Sequence, residues 1–256
     1  MTVDSVLDRK YYMFKRINNA RILSLYSKKP MDFGGARLEG EGREQLIAGI
    51  ERDFGYHFRK VKKCTRQIHS SRVVIVDEQN LEEEVGEADG LLTALRGVAL
   101  EIHTADCQSV FLYDPVLGVI GNVHSGWKGT VQKIVPKAVE KMISHYGCRP
   151  ENIEVYINPS ILGCCFEIED DVVEQFRTIT DVSKYCRRDR IVNGRQKYFM
   201  DTAAVNRDLM IEMGVLEEHI FLSGVCTMCN TQEYNSYRGD HHVTGRNGSL
   251  ICLKQS

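Results

Sequence analysis

A chain of 256 residues, 43% hydrophobic and 27% charged with a formal net charge of −2, has an ordinary globular composition and enough length to bury a sizeable core. The near-neutral balance argues against the Lys- and Arg-rich surface that tracks a phosphate backbone, so no nucleic-acid partner is expected, and no stretch approaches the ~20 apolar residues of a membrane span. Without an internal repeat or a Pro/Ser-rich linker, a single domain over residues 1–256 is expected, with residues 1–20 peripheral.

Short β-rich runs alternate with helical patterns along the chain. Arg72–Asp77 is a strand of β-branched residues; Gly97–His103 and Ser109–Tyr113 are two more. Asp114-Pro115 with Gly118 marks a turn, after which Val119–His124 returns as a strand. From Thr130 the apolar residues Val131, Ile134, Val135, Ala138, Val139, Met142 and Ile143 recur at three- and four-residue spacing, predicting a helix that stops near Gly147. Residues 153–157 are strand-like. Acidic residues from Glu167 to Asp171 precede a helix carrying Val172, Val173 and Phe176, where negative charge suits a helix N-terminus. Asp201 caps a helix over Thr202–Met213 that Gly214 ends, and Ile220–Val225 is a late strand. These elements predict a mixed α/β (α+β) fold whose strand order the patterns do not encode.

The start of the chain lacks the basic residues and apolar run of a secretory signal, and its nine cysteines are an odd number. Both features predict reduced thiols and a cytoplasmic location.

Three segments end or begin a strand with a metal-competent side chain: Arg66-Gln-Ile-His-Ser-Ser71, Thr104-Ala-Asp-Cys-Gln108 and Asn122-Val-His-Ser-Gly-Trp-Lys-Gly129. One thiolate and two imidazoles suit Zn²⁺, and three protein ligands leave the fourth position open, as in catalytic rather than structural zinc. The wide separation of His69, Cys107 and His124 carries no local signature, and a His or Cys at a strand end is more often packed or hydrogen-bonded.

The wording of these segments adds what spacing does not. Thr104-Ala-Asp-Cys107, His124-Ser-Gly-Trp-Lys-Gly129, Gly163-Cys-Cys-Phe-Glu167, Ser236-Tyr-Arg-Gly-Asp240 and Thr244-Gly-Arg246 occur in this order. Together they resemble the bacterial laccase-domain family, the multicopper polyphenol oxidase-like or YfiH/YlmD-type proteins, over residues 20–254. The resemblance implies a layered α/β sandwich of central sheets with flanking helices and a metal held by His69, Cys107 and His124. Ser70, Ser125 and Lys128 stand where the family commonly has Gly, Ala and Arg, and none of these departures removes a ligand. The loop Ser27–Gly35 is loosely similar to a glycine loop that carries Arg in the family.

The resemblance also implies action on purine nucleosides: phosphorolysis of adenosine, inosine or guanosine to base and ribose-1-phosphate, and hydrolytic deamination of adenosine. Partners would then be a nucleoside and phosphate, in a monomer or homodimer. Three-ligand zinc lowers the pKa of bound water toward ~7. Asp106, beside the ligand Cys107, is a candidate catalytic acid/base or orienting group, or an acceptor for turn amides. Arg238, assigned to the catalytic set, and Arg246, assigned to substrate binding, offer guanidinium groups for phosphate or an oxyanion. Trp127 is a candidate wall or stacking partner for the base, or a core residue, and Lys128 a point charge.

Cys226-Thr-Met-Cys229 and Cys164-Cys165 could make a second, structural zinc site, although CxxC alone also serves redox chemistry or packing. His103 reads as a core histidine, and His241 and His242 as loop residues near a pocket rim. Three other functional readings compete. Copper-dependent phenol oxidation suits an N/S site that can bind copper, but the chain has no His-x-His and no His beside a Cys. A metal-dependent amidase acting on a cell-wall precursor would use the same activated water. A binding module with structural zinc would need a fourth ligand.

Overall fold

The computed structural model describes residues 9–34 and 41–255. A five-stranded sheet runs in the order β1 (Tyr11–Tyr12), β2 (Ile22–Ser27), β14 (Asn247–Leu253), β6 (Val98–Thr104) and β3 (Lys60–Lys63). A six-stranded sheet runs β13 (Ile220–Leu222), β9 (Glu154–Ile157), β7 (Gln108–Asp114), β8 (Val119–Ser125), β5 (Gly90–Thr93) and β4 (Val73–Ile75). A third, three-stranded sheet has β12 (Arg195–Met200) between β10 (Glu167–Glu169) and β11 (Cys186–Val192), and the expected acidic-led helix, α4 (Asp170–Arg177), follows β10.

Period-two alternation on the two large sheets sorts their side chains into layers. On β7, Val110 and Leu112 face helices α3 (Ile134–Tyr146) and α5 (Thr202–Glu212), with Val135, Val139, Val205 and Leu209 in the same core. Phe111 and Tyr113, which alternate with them in sequence, face the other sheet and meet Leu100, Ile102 and Ile251. The far side of the five-stranded sheet packs Leu25, Ala99 and Leu250 against Ile50 of helix α1 (Glu41–Phe54). The result is a helix–sheet–sheet–helix sandwich of mixed α/β class. Each large apolar side chain buried this way contributes roughly 1.5–3 kcal/mol.

Asn122 is paired at both ends of its amide between the sheets. Asn122 donates through Nδ2 to the carbonyls of Leu100 and Ser249, both at 3.0 Å, and accepts from Ser109 Oγ at 3.0 Å. One side chain thereby ties both sheets together.

Several expected elements differ in extent. The helix expected from Thr130 is two helices, α2 (Trp127–Val131) and α3, because Lys133 adopts a left-handed conformation with φ 57°. The late strand stops at Leu222, before Gly224 turns the chain with φ 65°. Asp201 caps α5 by accepting from the amides of Ala203 and Ala204, and Gly147 ends α3 with φ 76°. Residues 11–17 are not peripheral. Tyr11 and Ile17 are buried, and the Tyr11 hydroxyl donates to Asp53 on α1 at 2.7 Å. Gly35 of the expected glycine loop lies outside the described residues.

Candidate metal centre

The β7–β8 hairpin creates the site. Its antiparallel register sets Gln108 opposite Ser125 and Ser109 opposite His124, so Cys107, one residue before β7, arrives beside the end of β8. His69 comes from the loop between β3 and β4, where it takes φ 58°. One donor atom from each of His69, Cys107 and His124 lies within 4.8 Å of the other two. Cys107 Sγ is 3.8 Å from His69 Nε2, close to the edge of a tetrahedron about 3.6 Å long that zinc bonded to S and N would span.

A residue that the sequence reading missed organises the set. Asp89, immediately before β5, is fully buried and contacts both histidine-bearing segments. Its Oδ1 accepts from His124 Nδ1 at 2.8 Å and from the His69 amide at 3.0 Å. Its Oδ2 accepts the amide and the hydroxyl of Ser70, each at 2.7 Å. With Nδ1 of His124 committed to Asp89, Nε2 is the nitrogen left to bind a metal. Burial works against ionisation of Asp89, but hydrogen bonds from His124 and Ser70 hold its carboxyl down at about 2. Burial opposes the charged form of His124 too, and Asp89 with Cys107 raises it to about 9. For Cys107, burial is outweighed by His124 and then His69, which bring the thiol down to about 6. The donor set is thus one sulfur and two imidazole nitrogens, which fits a borderline-soft divalent metal.

Gly126, the N-cap of α2, leaves room for this set. A Cβ there would sit 2.8 Å from His69 Cδ2 and 2.9 Å from Cys107 Sγ.

Two cavities meet at the cluster, and His69, Cys107 and Tyr237 line both. The larger, about 800 Å³, also takes in Arg43, Lys63, Glu101, His103, His124 and Arg246. The smaller, about 250 Å³, takes in Asp106, Trp127, Phe166 and Arg238. Arg238 and Arg246 therefore approach the cluster through different cavities. Arg238 Nη1 donates to the Glu167 carbonyl at 3.1 Å, and its guanidinium lies 5.8 Å from the centre of the Phe166 ring. Arg246 is locked to the N-terminal loop, its amide donating to Asp32 Oδ1 at 2.7 Å. Trp127 lines the smaller cavity and packs on the helix-side core. Lys128 is exposed, with Nζ 5.6 Å from the Trp127 ring centre, outside the lining of both cavities.

Asp106 is buried with φ 84°. Its Oδ1 accepts from the hydroxyls of Thr227 (2.7 Å) and Ser236 (2.6 Å), and its Oδ2 accepts from the Arg238 amide at 2.7 Å. His103 is not a core residue. It opens onto the larger cavity, and its Nε2 is 2.6 Å from Glu101 Oε1, while Arg43 on α1 meets Glu101 Oε2 at 2.7 Å. His241 and His242 are exposed loop residues with positive φ, and the His242 ring lies 4.5 Å from that of Tyr237.

The family model described as multi-copper polyphenol oxidoreductase laccase matches residues 46–254. The chain belongs to this family. Among its relatives, the purine nucleoside phosphorylase YlmD of Bacillus subtilis is 31% identical over 197 residues, 74% of this chain and 70% of that one. A purine nucleoside phosphorylase of Deinococcus radiodurans is 36% identical, covering 73% of this chain and 68% of its own length. The adenosine deaminase RL5 of an unknown prokaryotic organism is 32% identical, covering 74% of both. The crystal structure of YfiH from Bacillus licheniformis superposes with a TM-score of 0.83 at 26% identity, covering 97% of this chain and 98% of that one. Family members are thus named as enzymes of nucleoside chemistry, and this chain has their fold. Among the described residues, no helix is long and apolar enough to cross a membrane.

Proposed function

We propose that this protein is a cytoplasmic, zinc-dependent purine nucleoside phosphorylase that also deaminates adenosine. The observation that carries the reading is the convergence of His69, Cys107 and His124 where an 800 Å³ cavity with guanidinium groups meets a smaller one with aromatic walls. The names of the relatives supply the substrate class.

When bound, zinc supplies a Lewis acid and a water ionising near pH ~7. The protein's part is orientation and charge. Asp89 holds His124 by Nδ1 and the His69 loop by its amide, so one imidazole and the backbone that carries the other are set before substrate arrives. Arg246 and Arg238 are the groups we assign to phosphate and to developing negative charge, since a guanidinium grips two oxygens at once. Trp127 and Phe166 give the smaller cavity apolar surface suited to a purine ring. We assign Asp106 to positioning rather than proton transfer, because hydroxyl and amide donors already engage both of its oxygens. Lys128 contributes a point charge at a distance.

Zinc-loaded protein incubated with adenosine and phosphate should yield adenine and ribose-1-phosphate, and without phosphate should yield inosine slowly, as read by chromatography. Oxidation of phenols with no turnover of any nucleoside would overturn the assignment in favour of an oxidase.

A further inference from the structure

The fold brings together two cysteine pairs that lie far apart in sequence. Cys164 and Cys165 sit in a turn whose Leu162 carbonyl accepts from the amides of Cys165 and Phe166, both at 2.9 Å. Cys226 and Cys229 flank a second turn, closed by Asn230, whose amide donates to Thr227 O at 3.2 Å and whose side chain donates to Cys226 O at 2.8 Å. A parallel bridge between Ser160 and Cys226 zips the two segments together: Ser160 donates to Val225 O at 3.2 Å and Thr227 to Ser160 O at 3.0 Å. All four sulfurs lie within 4.8 Å of one another, with Cys165–Cys229 at 3.3 Å and Cys164–Cys229 at 3.7 Å.

We propose that Cys164, Cys165, Cys226 and Cys229 hold a structural zinc ion, separate from the one assigned to His69, Cys107 and His124. A tetrahedral ion with Zn–S of 2.3 Å spaces its sulfurs about 3.8 Å apart, the scale seen here. Four protein sulfurs close the coordination sphere, which is the structural rather than the catalytic arrangement. Cys164 and Cys229 are exposed, so the metal can enter from solvent. Binding exchanges the four thiol protons for Zn²⁺ and changes no oxidation state.

The bound ion would staple together two turns that serve the first site. Thr227, between the paired cysteines, donates to Asp106, and Glu167, two residues after Cys165, accepts from Arg238. The proposal does not depend on the nucleoside reading.

The test is cobalt(II) titration of chelator-stripped, reduced protein, followed by visible absorption and native mass spectrometry. In Cys107→Ala the first site has lost its thiolate, so a sulfur-to-cobalt charge-transfer band must come from the cysteine quartet. We expect this variant to bind one equivalent with a tetrahedral thiolate spectrum, and Cys229→Ser to lose that equivalent while keeping the one at His69 and His124. Folded Cys107→Ala with no thiolate–cobalt band would overturn the proposal, as would a disulfide mass in protein purified under reducing conditions. Should Cys229→Ser fail to fold, Cys107→Ala still decides the matter.

Discussion

The carboxylate of Asp89 meets the imidazole of His124 at 2.8 Å between Oδ1 and Nδ1, and the same oxygen accepts the amide of His69 at 3.0 Å. One buried side chain therefore sets the orientation of one ligand and the backbone of another. Replacing it tests whether this placement matters to metal affinity. Asp89→Asn keeps the shape but removes the charge, and zinc affinity measured by competition with a chromogenic chelator should fall roughly ten- to a hundred-fold. An unchanged affinity would make Asp89 a purely structural acceptor.

Gly126 offers a steric counterpart. Its φ is −75°, which any residue adopts, so Gly126→Ala tests crowding rather than backbone strain. The new methyl would press on His69 and Cys107 together. Metal content should drop while the thermal midpoint in the presence of chelator changes little. Full metal content in the variant would show that His69 moves aside freely.

The two arginines should separate by function. Arg238→Lys and Arg246→Lys keep the charge and lose the planar fork. If either clamps phosphate, the phosphate KM or the phosphorolytic rate should worsen by roughly ten- to a hundred-fold, equivalent to about 1.5–3 kcal/mol, with zinc content unchanged. A variant with wild-type phosphate dependence marks that arginine as a structural contact, as Arg238's bond to the Glu167 carbonyl would then suggest.

The site was legible in the sequence to the extent that its chemistry was written in short segments. His69, Cys107 and His124 each sit in a distinctive run, and the hairpin that joins two of them follows from the Asp114–Gly118 turn, where the Gly118 amide donates to Asp114 O at 2.9 Å. Asp89 was not legible. Glu87-Ala-Asp-Gly90 looks like any acidic turn until β5 pairs with β8 and delivers Asp89 to His124. The central strands β2 and β14 were missed because Ile22–Ser27 and Asn247–Leu253 are buried on both faces and show no alternation. The helix α1 escaped notice too, although its Arg43 reaches the buried Glu101. The cysteine pairs were visible, but their convergence depends on the Ser160–Cys226 bridge, which no local pattern announces.

Glu101 supplies a pH prediction. Burial pushes its carboxyl up, but His103 and Arg43 bring it below its ordinary value of 4.5. A carboxylate with a depressed folded-state pKa contributes stability that is present above the unfolded value and is lost as pH falls through the folded one. Glu101→Gln should therefore be less stable than wild type at neutral pH, and the gap should narrow in urea titrations carried below pH 4.5. A gap independent of pH would show that lost packing, rather than charge, sets the cost.

The most direct measurement is zinc stoichiometry and nucleoside turnover, taken on the same preparations of His69→Ala, Cys107→Ala and His124→Ala. Each variant should lose one zinc per chain and its turnover together, while circular dichroism shows the sandwich intact. A variant that keeps both the full zinc content and the full turnover would remove its residue from the ligand set and contradict the assignment of a three-ligand metal centre.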